Sequence, residues 1–189
     1  MRVRRLISRF IGAKRFREND DGAVLIELAF ILPILVLLVL GAFDGARLVL
    51  LNQKIQRTSM AMADLVGQSQ GLTEAEITSL FDAISHAMSP FDFNSGGTVI
   101  VSSMSSNDGG TTINWVRNFG DGEDGSTFGS VGDTPTLPDG FTIRDGDSII
   151  AAEVFYPFEP IFLDGIFTAQ TFSSYSIIRP RFARLTSIE

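Results

Sequence analysis

Cysteine is absent from this chain of 189 residues, and histidine and tryptophan each occur once. Without cysteine the chain has no disulfide, no thiol redox chemistry and no cysteine-ligated metal site. The single histidine, His86, belongs to no catalytic pattern, and the sequence contains no P-loop, no His-Glu-x-x-His motif and no Gly-rich dinucleotide motif. We therefore expect no enzyme activity, no cofactor, no metal site and no small-molecule substrate.

One long apolar run, residues 22–43, carries a single charged residue, Glu27, and a single proline, Pro33. As a helix, residues 23–43 would cover about 31 Å, close to the ~30 Å hydrocarbon core of a bilayer. We therefore predict a transmembrane helix over residues 23–43. Pro33 lacks an amide hydrogen and predicts a kink, which either serves subunit packing or is simply tolerated.

The charge of the chain is distributed unevenly around this run. The formal net charge is −7, yet residues 1–22 contain seven Lys/Arg and only three Asp/Glu residues. Basic residues next to a span stay in the cytoplasm, so residues 1–22 are predicted to be a cytoplasmic leader and the acidic remainder to lie outside. An acidic domain repels phosphate groups, which argues against nucleic acid as a partner.

Helical periodicity continues beyond the apolar run without a proline. Apolar residues recur among polar residues at helical spacing as far as Gly67. This pattern predicts a helical stalk over residues 44–68, with Gly67 as a C-cap. Thr73 and Glu76 form a capping-box pattern, so a second helix should begin at Glu74 and end near Met88. The domain that follows the stalk is predicted to comprise residues 69–189.

The sequence beyond Pro90 is typical of strands. Asn107-Asp108-Gly109-Gly110 predicts a tight hairpin turn, and residues 120–140 are rich in Gly, Asp, Ser, Thr and Pro, which favours a long loop. We predict a membrane-anchored α+β protein, in which a long N-terminal helix continues into a stalk and is followed by a short helix and an antiparallel sheet of about four strands. Four β-rich runs support this sheet: residues 98–103, 111–116, 148–156 and 172–178.

The start of the apolar run resembles the processing site of type IV prepilins. In these proteins a basic leader ends in glycine, prepilin peptidase cuts after it, and glutamate is the fifth residue of the mature chain. The resemblance implies cleavage between Gly22 and Ala23, which places Glu27 fifth. It also implies that Glu27 pairs with the new α-amine of a neighbouring subunit. The alternative from the residues alone is that Glu27 snorkels to the cytoplasmic surface.

The longer stretch GAVLIELAFILPILVLLVLG, with Asp44-Gly45-Ala46-Arg47 after it, resembles the TadE/TadG-like family of tight-adherence (Flp-type) pilus assembly proteins. Ala23 in place of the usual Phe, and the early position of Pro33, agree with that branch rather than with ordinary type IV pilins. Six residues of the predicted β domain are similar to the C-terminal motifs of this family: Tyr156, Pro157, Pro160, Arg179, Pro180 and Arg181.

The resemblance implies a minor pseudopilin-like component that assembles a tight-adherence pilus. Its partners would be the membrane, pilin and other pseudopilin subunits, prepilin peptidase and the pilus secretion machinery. It would lie in the bacterial inner membrane with a cytoplasmic N-terminus and a periplasmic domain. The alternative is an envelope binding module, for which the span is only a tether.

Overall fold

The computed structural model of the chain describes residues 21–188, so most of the predicted leader lies outside the described residues. The chain divides into two compact units, of which the first extends to Gly45 and the second begins at Ala46. The predicted stalk therefore belongs mainly to the same unit as the sheet.

The first helix, α1, comprises the 47 residues Asp21–Gly67 and includes Pro33. Side chains of residues 22–39 are exposed, although nearly all of them are apolar. Within the described part of the chain, α1 is the one helix that is long and apolar enough to cross a membrane. Such a helix near the N-terminus suggests a single-pass membrane anchor. The helix continues through Pro33, and the kink at that residue stays a prediction.

The second part of α1 lies in the core of the second unit. Leu51, Ile55, Met62 and Val66 are buried and share one helical face, which confirms the predicted continuation of the helix. The helix ends at Gly67 as expected, but the C-cap explanation is wrong because the φ of Gly67 is not positive.

Close packing explains the glycine at position 67 instead. A Cβ atom there would clash with the side chain of Ile178. The carbonyl oxygen of Gly67 also accepts a hydrogen bond of 2.9 Å from the amide of Arg181. A side chain at position 67 would therefore displace the end of the Ile178 side chain, at the point where the last strand and the segment after it pass the end of α1.

Helix α2, Glu74–Ala87, begins with the predicted capping box. The Thr73 hydroxyl accepts from the amide of Glu76 at 3.2 Å, and the Glu76 carboxylate accepts from the amide of Thr73 at 3.0 Å. The buried face of α2 consists of Ile77, Phe81 and Ile84. The box satisfies two amides that the first turn of a helix would otherwise leave unpaired.

The four predicted strands form one antiparallel sheet, and each is longer than its β-rich run. The order across the sheet is β2-β1-β3-β4. The strands are β1 (Thr98–Asn107), β2 (Gly110–Gly120), β3 (Ser148–Phe158) and β4 (Gln170–Ile178).

The turn between β1 and β2 confirms the prediction from sequence. Asp108 and Gly109 have φ values of 52° and 79°, as the central residues of a two-residue hairpin turn require. Further along the hairpin Ser103 is paired with Trp115 and Met104 with Ile113, so Asn114 is an additional residue in β2. This bulge re-aims the side chains of β2 relative to β1.

The sheet is covered on both faces. One face packs on α1 and α2 and forms the larger core, which includes Trp115 and Val154. The other face carries a smaller core in which Phe128 and Ile143, from the connection between β2 and β3, pack on the strands. We name residues 121–147 the covering loop. Because both faces are covered, β1 and β3 are buried over almost their whole lengths.

Candidate functional site

The predicted processing site lies in the first turns of α1. Gly22 and Ala23 are helical and exposed, and a Cβ atom at Gly22 would meet nothing within 4 Å among the described residues. Glu27 is exposed, one turn further along, and makes no hydrogen bond or ion pair with the residues that the structure describes. In hydrocarbon, a carboxylate at the centre of a helix costs about 2.5–3.5 kcal/mol on insertion scales, and less near the interface.

A surface cleft of about 450 Å³ lies beside Arg47 in the second unit. The guanidinium carbon of Arg47 is 5.9 Å from the ring centre of Phe91 and 5.8 Å from that of Phe158. Its Nη1 atom donates to the carbonyl oxygen of Glu159 at 3.3 Å. Both ring distances are within the range of cation–π attraction, so three contacts fix the position of this side chain.

Three of the six residues in the predicted C-terminal motifs line this cleft: Tyr156, Pro157 and Pro160. The Tyr156 hydroxyl donates to the carbonyl oxygen of Asp92 at 3.0 Å. Burial raises the pKa of the Tyr156 phenol, and the negative charge of Asp92 adds to the rise. The phenol is therefore a stable donor at neutral pH, and it holds the segment after α2 against β3.

The other three residues of the predicted motifs, Arg179, Pro180 and Arg181, lie at a different place, immediately after β4. Arg179 pairs with Asp147 at 3.2 Å, and Arg181 pairs with Asp64 of α1 at 2.5 Å. These ion pairs attach the C-terminal segment to the covering loop and to α1. The motifs thus separate into two clusters with different partners.

The covering loop is held by a buried carboxylate, that of Glu153 in β3, whose side chain is 1% exposed. Its Oε2 atom accepts from the Ser126 hydroxyl at 2.5 Å, and its Oε1 atom accepts from the Thr127 amide at 2.9 Å. The Thr127 hydroxyl donates to the same Oε1 atom. Charge-assisted hydrogen bonds of this kind compensate a carboxylate for the loss of water.

The sequence patterns do not predict the contacts of Arg47 or of Glu153. Glu153 interrupts a run that is otherwise apolar, SIIAAEVFY, which was a usable signal of a buried and paired carboxylate. Arg47 gave no comparable signal, because its contacts come from distant positions; the carbonyl that it binds is 112 residues away in sequence.

Two features define the class of this chain: one exposed apolar helix that fits a membrane anchor, and an α+β unit with a four-stranded antiparallel sheet. Residues 22–64 match the family model described as TadE-like protein. The match covers the apolar run and most of the rest of α1, and it confirms the resemblance drawn from the sequence. It indicates a role related to tight-adherence pili. No curated protein and no solved structure matches the chain.

Proposed function

We propose that this chain is a minor pseudopilin-like component of a tight-adherence pilus system and acts by helix packing. The observation that carries the proposal is the match over residues 22–64, because it lies wholly within α1, includes the entire apolar part of that helix and does not reach the sheet. This part of the helix exposes apolar side chains all around its surface. A helix with no polar face is suited to contact both lipid and the apolar helices of other subunits.

Glu27 would give this packing its register. After cleavage, Ala23 would carry a new α-amine one helical turn from the carboxylate, and the amine of one subunit could pair with Glu27 of the next. Opposite charges that pair within a membrane offset the cost of placing either one there. The absence of an intramolecular partner for Glu27 among residues 21–188 supports an intermolecular one.

Gly22 supports processing by prepilin peptidase. Its φ is not positive, and a Cβ atom would fit among the described residues, so neither turn geometry nor packing requires glycine there. Alanine in a helix is favoured over glycine by about 1 kcal/mol. Recognition of Gly22 by an enzyme would explain the glycine at this position. The basic leader predicts that this site faces the cytoplasm, with the sheet on the periplasmic side of the inner membrane.

The processing proposal is tested by the intact mass of the protein from cells with and without prepilin peptidase. We expect the loss of residues 1–22 only when the peptidase is present, and no loss for Gly22→Val. Gly71→Ala is the matched control, because Gly71 is also exposed with open space around it. Retention of Met1 in peptidase-competent cells would remove the processing claim.

The packing proposal is tested with Glu27→Ala in a piliated strain. We expect membrane insertion to be retained and the number of pili per cell to fall strongly. Ile26→Ala is the matched control, because Ile26 is also exposed on α1 and carries no charge. Normal piliation with Glu27→Ala would refute the role of the carboxylate in register.

A second candidate function is a binding module for a ligand in the cell envelope. The cleft beside Arg47 favours it, because the cleft is open, partly polar and flanked by a cation in a fixed position. In that case the apolar part of α1 would serve only as a tether. Replacement of the span distinguishes the two functions, since only the packing function depends on its sequence.

A further inference from the structure

The two outer edges of the sheet differ in how they are covered. The edge at β2 is partly paired with the covering loop. The amide of Ile113 donates to the carbonyl of Asp133 at 3.0 Å, and its carbonyl accepts from the amide of Gly132 at 2.9 Å. The same strand carries the bulge at Asn114 and the charged side chain of Arg117. Bulges, charges and covering loops keep an edge strand from pairing with another chain, so the β2 edge is protected.

The strand at the other edge, β4, has none of these devices. Its nine residues, Gln170–Ile178, include no charged residue, no proline and no register shift against β3. Among residues 21–188, the backbone of this strand makes no hydrogen bond other than those of its ladder with β3. An uncharged edge strand of this length is a template on which a further strand can pair.

The register of the sheet identifies the backbone groups of β4 that point outward. The amide and the carbonyl of Ser106 bond to the segment immediately before β3, so the even-numbered residues of β1 direct these groups towards β3. The pairs Ser102–Ala151 and Ala152–Ser176 carry this alternation across the sheet, so the even-numbered residues of β4 bond to β3. The outward groups belong to the odd-numbered residues: Thr171, Ser173, Tyr175 and Ile177.

We propose that β4 pairs with β4 of a second copy of this chain, antiparallel and around a two-fold axis at Ser174. Ser174 is the central residue of the strand, so this register gives every outward residue a partner. Thr171 would exchange hydrogen bonds with Ile177 of the copy, and Ser173 with Tyr175 of the copy. The sheets of the two copies would then form one continuous sheet.

The charges around the strand favour a second copy over a strand of another protein. The formal net charge of the chain is −7, yet β4 is uncharged, so two copies can meet along it without facing like charges. Antiparallel pairing places Arg179, which follows β4 in one copy, beside the segment before β4 in the other. That segment, residues 159–169, contains Glu159 and Asp164 and no Lys or Arg. The two ends of the strand are thus complementary in charge, as a two-fold contact requires.

The first test measures the mass of the full chain in detergent over a range of concentrations, by size exclusion with light scattering. Ser173→Pro removes an outward N–H group and leaves the bonds to β3 in place, whereas Ser173→Ala, the matched control, keeps that group. We expect Ser173→Pro to weaken dimerisation by about tenfold or more, because two hydrogen bonds are lost per dimer. Ser173→Ala should dimerise like the wild type.

The second test measures the register with spin labels, since the absence of cysteine allows a single thiol in each variant. Residues 173 and 171 are exposed, so Ser173→Cys and Thr171→Cys are labelled separately in the full chain. In the proposed register the Cα atoms of the two copies are about 8 Å apart at position 173 and about 20 Å apart at position 171. Dipolar coupling in electron paramagnetic resonance distinguishes these separations.

A chain that is monomeric at every concentration would overturn the proposal and leave a strand of a different protein as the occupant of the edge. A dimer that Ser173→Pro does not weaken would overturn it as well, because the contact would then lie elsewhere, for example at the span. A separation at position 171 no longer than that at 173 would also overturn it. An unchanged emission spectrum of Trp115 establishes that each variant is folded, and if Ser173→Pro is not folded, the label separations decide.

Discussion

The buried carboxylate of Glu153 gives the sharpest prediction about stability. Glu153→Ala removes three hydrogen bonds to Ser126 and Thr127 and leaves the amide of Thr127 without its acceptor. Hydrogen bonds to a charged group contribute about 1.5–3 kcal/mol each but are not additive, and a buried donor that is left without an acceptor costs about 1–3 kcal/mol. We therefore expect Glu153→Ala to lower the free energy of unfolding by about 3–4 kcal/mol, which is a large part of the roughly 5–15 kcal/mol of a typical domain.

Glu153→Gln removes the negative charge but keeps nearly the same side-chain size, so it measures the contribution of the charge alone. The glutamine oxygen can keep the bond to the Thr127 amide, but its amide group replaces the oxygen that accepts from the Ser126 hydroxyl, so this hydroxyl loses its acceptor. We expect a smaller loss, about 1–2 kcal/mol.

The assay for these variants is urea unfolding of the full chain in detergent, followed by the fluorescence of Trp115, the single tryptophan, which is buried. Glu159→Gln is the control, because the side chain of Glu159 is exposed, and it should lie within about 0.5 kcal/mol of the wild type. If Glu153→Ala also lies within that limit, the reasoning that the carboxylate holds the covering loop is refuted.

Three further predictions concern the second unit. Thr73→Ala removes the capping box and should lower the free energy of unfolding by about 1 kcal/mol in the same urea assay. An unchanged free energy of unfolding would contradict a stabilising role of the cap. The hydrogen bond from Arg117 lowers the pKa of the Glu74 carboxyl. The pair therefore stabilises the fold at pH values above the ordinary glutamate pKa, and this stabilisation is lost as the pH falls through the lowered pKa. Arg117→Met should flatten the acid side of the pH–stability curve, and an unchanged curve would contradict the pairing. Because burial raises the pKa of Tyr156, the difference in absorbance at 295 nm between wild type and Tyr156→Phe should have its midpoint above the ordinary tyrosine pKa of about 10, and a midpoint at or below that pKa would contradict the burial of the phenol.

The local features of the fold could be predicted because their determinants are adjacent in sequence. The capping box depends on residues three positions apart, and the hairpin turn depends on Asp108 and Gly109 within a four-residue stretch. The apolar run is likewise a local property of composition. Such patterns need no knowledge of tertiary contacts, and the structure confirms them.

The candidate sites could be predicted only in part, because their contacts join distant segments. Family resemblance singles out Tyr156 and Arg181, yet nothing in the sequence indicates that they contact different elements. Arg47 lies between two aromatic rings that no spacing rule connects to it. The sequence predicts a local role for Gly67 as a cap, whereas in the structure the space beside it is filled by the side chain of Ile178, on the last strand.

The proposed function requires the particular sequence of the membrane segment, and not merely the presence of a membrane segment. Replacement of residues 1–43 by an unrelated signal anchor, with residues 44–189 unchanged, tests it most directly by the number of pili per cell. We expect the chimaera to be inserted in the membrane at normal levels and piliation to be lost. Normal piliation by the chimaera would rule out the packing function and favour a tethered binding module.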